Sequence, residues 1–275
     1  MNDAQISFIG AGNMARSLVG GLVADGWNPG RIRVADPDPV ALDAMRGVAP
    51  VETIPDNRAA VAGSDILVLA VKPQVMRAVA TDLAAAVREQ QPLVVSVAAG
   101  IREADLRRWL GDEPAIVRCM PNTPALVQSG ATALYANPFV SESRRDQAES
   151  VLRAVGLTLW IDDEALLDAV TALSGSGPAY FFLVIEALQA GGEQLGLPAD
   201  VARLLALQTA FGAAKMALES PDDAATLRQR VTSPGGTTER ALQVLEEGDL
   251  RGLFARALQA ARDRSRELAD QLGAG

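Results

Sequence analysis

A glycine-rich turn near the start of the chain constrains the fold more than any other feature. Apolar residues from Ile6 lead into Gly10-Ala11-Gly12, and a stretch typical of a helix follows and includes Ala15. Gly10 permits a tight turn, Gly12 allows a ligand to approach the backbone, and Ala15 keeps the helix close to the strand. The free amides at such a helix N-terminus attract phosphate. The turn predicts a βαβ unit that binds a dinucleotide. Its predicted contact residues are Ile9, Gly10, Ala11, Gly12, Asn13 and Met14.

An acidic residue follows the second predicted strand. Asp36 stands after Val34-Ala35 and before Pro37, about 20 residues beyond the glycine loop, where an acid commonly binds the ribose hydroxyls of NADH. A carboxylate here repels the 2′-phosphate of NADPH, so the residue favours NADH. Arg31 and Arg33 flank the position and could offset its charge, which leaves NADPH open. A turn aspartate ahead of proline is the alternative interpretation.

Short β-rich runs alternate with helical stretches over the first part of the chain. Several runs are almost purely apolar, as expected for strands covered on both faces. Repeated βαβ order predicts a parallel sheet with right-handed crossovers. The predicted strands are 5–9, 31–35, 66–71, 93–97 and 115–119, and the predicted helices between them include 14–25, 39–46 and 75–88.

After Trp160-Ile161 the pattern becomes wholly helical. Glycine and proline pairs punctuate the stretches, as they do between helices. The segment 179–190 is apolar nearly all round, which suits a helix buried between others, including those of another subunit. The chain is therefore expected to contain a Rossmann-type α/β domain over 1–162 and an all-α domain over 163–275. The predicted helices are 163–171, 178–195, 198–219, 224–230, 237–247 and 249–272.

Composition narrows the chemistry. The formal net charge is −9 with no basic run, so neither nucleic acid nor an anionic membrane is an expected partner. No signal-peptide pattern opens the chain and no uninterrupted apolar run of membrane length was expected, so the predicted location is cytoplasmic. The chain has one cysteine, Cys119, and no histidine, so no metal site and no Ser/His system is expected. A cofactor, hydroxyls, lysine or carboxylates must supply the chemistry.

Two further strand ends are candidate cofactor contacts. Ala70-Val71-Lys72-Pro73 follows a buried strand at the edge of the sheet where ligands of such folds bind. Lys72 could contact a cofactor phosphate, a ribose or a substrate carboxylate, or could be a solvated lysine at a helix start. Ala98 lies in a small-residue strand exit, as expected where a nicotinamide lies close to the backbone.

Three other motifs are not ordinary features of Rossmann-type folds and are therefore more specific than the glycine loop. They are Arg118-Cys119-Met120-Pro121-Asn122-Thr123-Pro124, Leu173-Ser174-Gly175-Ser176-Gly177-Pro178 and Thr232-Ser233-Pro234-Gly235-Gly236-Thr237-Thr238. Together with the glycine loop and Ala70-Pro73, in this order, they resemble pyrroline-5-carboxylate reductase over essentially the whole chain. The resemblance implies reduction of L-1-pyrroline-5-carboxylate to L-proline by NADPH or NADH, the last step of proline synthesis. It also implies a homodimer intertwined through the C-terminal helices, in many members assembled further into a decamer.

The resemblance assigns roles to individual residues. A substrate carboxylate is implied at Ser233, Gly235, Gly236, Thr237 and Thr238, a helix N-terminus whose free amides suit an anion. Simple helix capping by Ser233 or Thr237 is the alternative. Thr238 is implied as the catalytic hydroxyl, which hydrogen-bonds the ring nitrogen or relays a proton to it.

Two more positions match the family at single residues. Glu164 corresponds to a residue near the bound proline, facing its nitrogen, although a glutamate in the first turn of a helix is common without a ligand. Asn57 corresponds to a polar contact with the adenosine ribose, and an exposed loop amide is the alternative.

Two other functions are alternatives for a chain with this domain arrangement. β-Hydroxyacid dehydrogenases share the domain arrangement but use a lysine with an asparagine four residues later, whereas Lys215 has Glu219 at that offset. A non-catalytic NAD(P)-binding regulator is the second alternative. It predicts cofactor binding without substrate-dependent oxidation of NAD(P)H.

Overall fold

An eight-stranded sheet organises the first part of the molecule. The computed structural model describes residues 4–111 and 113–274. The strands are β1 Ile6–Ile9, β2 Ile32–Ala35, β3 Glu52–Ile54, β4 Ile66–Leu69, β5 Leu93–Ser96, β6 Ile116–Met120, β7 Gly130–Ala136 and β8 Gly156–Trp160. Their order is β3-β2-β1-β4-β5-β6-β7-β8, so the chain reverses direction across the sheet beside β1. In doubly wound folds, ligands bind in the crevice at the carboxyl ends of the strands where the strand order reverses.

The direction of the strands corrects one expectation. β1 to β6 are mutually parallel, as predicted, but β7 pairs antiparallel with β6 and then parallel with β8. The sheet is therefore mixed. Neither β7 nor β8 was predicted as a strand. In β7, Gly-Ala-Thr-Ala is too small and mixed to show the apolar run that identifies a buried strand.

Helices cover both faces of the sheet. One core cluster contains Phe8 and Val68, and the opposite one contains Leu67 and Leu69, all with no exposed surface. This explains why β1 and β4 are apolar at every position. The covering helices are α1 Asn13–Ala24, α2 Pro39–Arg46, α3 Asn57–Val61, α4 Pro73–Gln90, α5 Glu103–Leu110, α6 Glu142–Arg153 and α7 Leu166–Val170.

The remainder of the chain is helical, as predicted. The helices are α8 Gly177–Gln194, α9 Ala199–Glu219, α10 Ala224–Arg230, α11 Thr237–Glu247 and α12 Leu250–Gly273. The bounds of α2, α10 and α11 agree with the prediction at both ends. Asp38 and Asp223 cap α2 and α10 by accepting backbone N–H groups, which explains the clear starts of these two helices.

The compact units do not divide at the predicted boundary of 162 and 163. The first unit comprises residues up to Ser176 together with Ala261–Gly275, and the second comprises Gly177–Ala260. The end of α12 belongs to the first unit because Ser265 and Ala269 are buried there. Ser265 Oγ donates to Asp168 Oδ1 at 2.7 Å. No local sequence pattern predicts that the end of α12 packs within the first unit.

The helices of the second unit leave much apolar surface exposed within a single chain. Phe181, Phe182 and Phe211 are each more than 60% exposed. The helical stretches Leu166–Gln194 and Ala199–Glu219 are long and apolar enough to cross a membrane by length and composition. Both stretches contain charged residues, among them Asp168 and Lys215, so neither is the uninterrupted apolar run that the sequence analysis excludes. One or two such helices are weak evidence of a membrane span, because core helices of soluble proteins pass the same test.

Candidate cofactor and substrate sites

Gly10 closes the turn after β1 and is required by the fold itself. It adopts a left-handed φ of +101°, and its amide donates to Ala35 O at 2.7 Å. A Cβ at this position would lie 2.7 Å from the carbonyl oxygen of Ala70. Only glycine satisfies both the dihedral and the contact.

Gly12 shows the opposite behaviour. It precedes α1 with an extended backbone and a φ of −72°, which any residue can adopt. Apart from Gly12 and its two chain neighbours, no atom of residues 4–111 and 113–274 lies within 4 Å of a Cβ built there, and no side chain caps the amides of α1. The fold gives no reason for a glycine at this point. The open space and the free amides fit a pyrophosphate group.

Asp36 lies at the end of β2 and is held by backbone donors. Its Oδ2 accepts the Ala11 amide of the glycine loop at 2.8 Å, and its Oδ1 accepts the amide of Asp38 at 2.9 Å. The carboxylate is therefore fixed beside the loop. It is more than a turn aspartate, because it joins the second strand to the glycine loop 25 positions earlier.

The two arginines that flank Asp36 in sequence do not lie beside its carboxylate in the structure. Arg33 Nε donates to Glu52 Oε2 at 2.8 Å, and its Nη1 donates to the carbonyls of Ala60 and Ala62 at 3.2 and 3.0 Å. Arg31 precedes β2, at the opposite end of the strand from Asp36. Neither arginine therefore pairs with the Asp36 carboxylate, the arrangement that left NADPH open.

The remaining predicted cofactor residues follow neighbouring strands at one edge of the sheet. Ala70 and Val71 follow β4, exposed Lys72 precedes α4, which begins at Pro73, and buried Ala98 follows β5. Because β1, β4 and β5 are adjacent and parallel, their carboxyl ends share this edge. Asn57 begins α3, and its buried Oδ1 has no hydrogen-bond partner in the part of the chain that the structure describes. An orphaned buried acceptor is uncommon in a native structure and fits a ligand hydroxyl.

Glu164 lies in the first unit and is held by protein groups. Its Oε1 accepts Arg118 Nη1 and the backbone amide of Glu103, the latter at 2.6 Å. Glu103 begins α5, whose preceding residue Arg102 gives no side-chain cap, so Glu164 caps that helix from a distant part of the chain. Sequence reasoning missed the role of Arg118, because the two partners are 46 residues apart.

The same part of the chain joins two of the specific motifs. Asn122 Nδ2 donates to Ser174 Oγ at 3.1 Å, and Asn122 Oδ1 accepts the Ala131 amide at 2.9 Å. Cys119 is buried, and burial raises the pKa of its thiol far above the ordinary value. A thiol of this kind is a small hydrophobe and not a nucleophile, as expected.

The second small-residue loop lies in the other unit and opens α11. Gly235 has a φ of +69°, and α11 begins at Thr237 after Gly236 with no side-chain cap. Neither Ser233 nor Thr237 therefore caps the helix, which removes the capping interpretation. Thr237 and Thr238 are exposed. Their amides lie in the first helical turn, where no carbonyl of the helix can accept them.

The loop also contains a contact that sequence reasoning missed. The Gly235 amide donates to Glu239 Oε2 at 2.7 Å, and the Gly236 amide donates to Ser233 O at 3.0 Å. A glutamate at the third position of a helix was an available signal, because such residues commonly bond back to the amides before the helix.

Comparisons with known proteins agree with this arrangement. A family model described as pyrroline-5-carboxylate reductase dimerisation matches residues 164–268, and one described as NADP oxidoreductase coenzyme F420-dependent matches residues 5–100. The pyrroline-5-carboxylate reductase of Pseudomonas aeruginosa is 52% identical over 99% of this chain and 100% of its own length.

Two solved structures extend the comparison to three dimensions. The pyrroline-5-carboxylate reductase of Coxiella burnetii is 48% identical, with a TM-score of 0.93 over 97% of this chain and 98% of its own. The Plasmodium falciparum pyrroline carboxylate reductase with NADP bound is 27% identical, with a TM-score of 0.87 over 98% of this chain and 99% of its own.

The fold and the matches first define a class: the chain is an NAD(P)H-dependent oxidoreductase with a Rossmann-type domain and a helical C-terminal domain of the dimerising kind. Within that class it belongs to the pyrroline-5-carboxylate reductase family. The β-hydroxyacid dehydrogenase alternative loses its support. Lys215 Nζ lies 3.8 Å from Glu219 Oε1 in an exposed ion pair, as an ordinary helix-surface lysine.

Proposed function

We propose that this chain reduces L-1-pyrroline-5-carboxylate to L-proline with NADPH or NADH. The observation that carries the proposal is the loop of small residues before α11. With the first turn of α11 it presents the amides and hydroxyls of Thr237 and Thr238 to a ligand, in a chain 52% identical to a pyrroline-5-carboxylate reductase over its full length. An anion receptor of this size suits a substrate with one carboxylate.

The residues of the first unit hold the cofactor. Gly12 and the start of α1 receive the pyrophosphate, Asp36 and Asn57 contact the adenosine side, and Ala98 faces the nicotinamide. Ile9, Gly10, Ala11, Asn13, Met14, Ala70, Val71, Lys72 and Pro73 complete the lining. When bound, the cofactor supplies the hydride, which none of the twenty side chains can donate.

The residues of the second unit orient the substrate. Ser233, Gly235, Gly236, Thr237 and Thr238 receive the carboxylate, and the Thr238 hydroxyl hydrogen-bonds the ring nitrogen. This contact delivers a proton directly or through water, which suits a chain without histidine. Glu164 contributes through the position of the segment before α7, because its carboxylate is committed to Arg118 and to the start of α5.

The contacts of Asp36 favour NADH over NADPH in this chain. The carboxylate is fixed beside the glycine loop, while Arg33 is bonded to Glu52 and to carbonyls of the α3 region. A 2′-phosphate would meet a negative charge without a compensating arginine from either flank. Repulsion between the Asp36 carboxylate and a 2′-phosphate beside it disfavours the binding of NADPH.

The helical unit joins two copies of the chain. The exposed phenylalanines of α8 and α9 suit the homodimer of the dimerisation family, and further assembly to a decamer follows the family pattern. Residues 163–275 act as the substrate and dimerisation region, and 1–162 as the cofactor region. The location consistent with a soluble biosynthetic enzyme is the cytoplasm.

A steady-state assay with pyrroline-5-carboxylate tests the function, with oxidation of NADH and NADPH followed separately. Oxidation dependent on the substrate, with the larger kcat/KM for NADH, is the expected result. If neither cofactor is oxidised although both bind, the chain is the non-catalytic regulator considered above. A large preference for NADPH would show that Asp36 does not set the cofactor.

A further inference from the structure

The start of α11 contains an acidic side chain that no role above includes. Glu239 is the third residue of the helix, and its Oε2 accepts the Gly235 amide at 2.7 Å. The contact joins a carboxylate to a loop residue four positions earlier. Such a contact also supports the helix, because an anion near the N-terminus interacts favourably with the helix dipole.

This contact occupies part of the loop that is assigned to the substrate. Gly235 belongs to the carboxylate loop, and the Gly236 amide is already bonded to Ser233 O. An N–H group held at 2.7 Å by one carboxylate has no capacity for an equally short bond to a second. The substrate carboxylate and Glu239 therefore compete for the same donor.

The charge of Glu239 is not neutralised by the arginines around it. Arg228 and Arg251 both pair with Glu246, at 3.6 and 2.8 Å, and Arg240 donates to Gln243 at 2.7 Å. Glu239 thus presents a negative charge at the point where an anionic substrate arrives.

We propose that Glu239 is a specificity-determining residue, whose carboxylate competes with the substrate carboxylate for the Gly235 amide and is displaced by it. The inference rests on the function proposed above. Binding is then an exchange of one carboxylate for another. A ligand without a carboxylate gains nothing by displacing Glu239, whereas an anionic ligand replaces its bond but meets its charge.

The test replaces the charge and keeps the hydrogen-bond acceptor. In Glu239→Gln the KM for pyrroline-5-carboxylate should fall about three- to tenfold, since the repulsion of two like charges about 4 Å apart and fully exposed to water has this order of effect. The kcat and the KM for NADH should be unchanged. The neutral cyclic imine 1-pyrroline, which lacks the carboxylate, should show no change in KM.

A matched control removes the same charge from the same helix. Glu247 is the last residue of α11, and its Oε1 accepts from Gln243 at 2.8 Å. Glu247→Gln changes the net charge equally, about 12 Å along the helix from Glu239, and should leave every constant unchanged. Calorimetric binding of L-proline should tighten in Glu239→Gln by the same factor as the KM falls, and in Glu239→Ala, which also frees the Gly235 amide, by at least that factor.

Three results would overturn the proposal: an unchanged KM in an active Glu239→Gln enzyme, an equal fall in Glu247→Gln, or an equal fall with 1-pyrroline. Failure of the proposed function is recognised separately, because the unmodified chain would then show no pyrroline-dependent oxidation.

Discussion

The molecule contains two glycine-bearing loops that open a helix, one before α1 and one before α11, and they use a carboxylate in different ways. Before α1, Asp36 holds the Ala11 amide from the end of a neighbouring strand, where the backbone fixes both of its oxygens. Before α11, Glu239 holds the Gly235 amide from an exposed helix surface. The first contact is part of the scaffold, whereas we propose that the second exchanges with the substrate carboxylate. The proposed roles thus assign the rigid loop before α1 to the cofactor and the adjustable loop before α11 to the substrate.

The largest expected effect tests the rigid loop. Gly12→Ala should weaken NADH binding at least about 100-fold, because the new methyl group takes the space of the pyrophosphate while its φ remains allowed. Its thermal unfolding should match that of the unmodified protein, since the added Cβ meets no described residue within 4 Å beyond its two chain neighbours. Fluorescence titration with NADH and calorimetric melting measure the two effects.

Gly10→Ala is the contrasting variant. It should lose about 3 kcal/mol of unfolding free energy through its left-handed φ and its clash with Ala70. If Gly12→Ala also lost stability to this extent, the distinction between the two glycines would fail.

The next effect concerns the adjustable loop. Thr238→Ala should lower kcat about 10- to 100-fold, because the imine nitrogen loses a positioned hydroxyl. Thr238 is exposed at a helix start, so folding should be little affected. Thr238→Ser keeps the hydroxyl and should retain most activity. Unchanged kinetics in a folded Thr238→Ala protein would remove the proposed role.

A smaller change is expected at the cofactor adenosine. Asp36→Ser should raise the kcat/KM for NADPH relative to NADH about tenfold by removing the repelling charge. It should also raise the KM for NADH, because the Ala11 amide loses its acceptor. Asp38→Ser is the matched control: it removes one carboxylate two residues away, and serine can still cap α2. A control variant with the same shift in cofactor ratio would argue for net charge alone.

The smallest effect is at Asp223, which caps the helix before the substrate loop. Backbone and side-chain hydrogen bonds from Thr226 hold the pKa of Asp223 below its ordinary value. The ionised cap therefore stabilises the fold above the unfolded-state pKa, and this contribution is lost as the pH falls through the folded-state pKa. Asp223→Ala should melt slightly earlier at pH 7. The difference should disappear in strongly acidic buffer, and a difference that grows on acidification would contradict this explanation.

Local patterns predicted the features whose cause is local. The glycine loop, the apolar strands β1, β4 and β5, and the helices with clear caps have their reason within a few residues of sequence. Pairing of residues remote in sequence was not predictable in this way. The Arg118–Glu164 pair, the contacts of Arg33 with the α3 region, and the antiparallel β7 all depend on which segments the fold brings together.

The contact of Glu239 was predictable from the sequence only in part. Its spacing from Gly235 is local, so a capping pattern could have revealed it, but only the hydrogen bond shows which amide it reaches. The family resemblance assigned the loop to the substrate without including this side chain.

The return of α12 to the first unit has a consequence for biosynthesis. That unit is discontinuous: Gly177–Ala260 intervene before Ala261 and the residues after it complete it. Leu272 packs against the core on one face of the sheet, and Arg102 pairs with Asp270 at 2.7 Å. On the ribosome, the sheet must wait for the last segment of the chain before its packing is complete. Until α12 has folded back, the core surface that Leu272 covers is exposed, and exposed apolar surface of this kind makes a folding intermediate prone to aggregation.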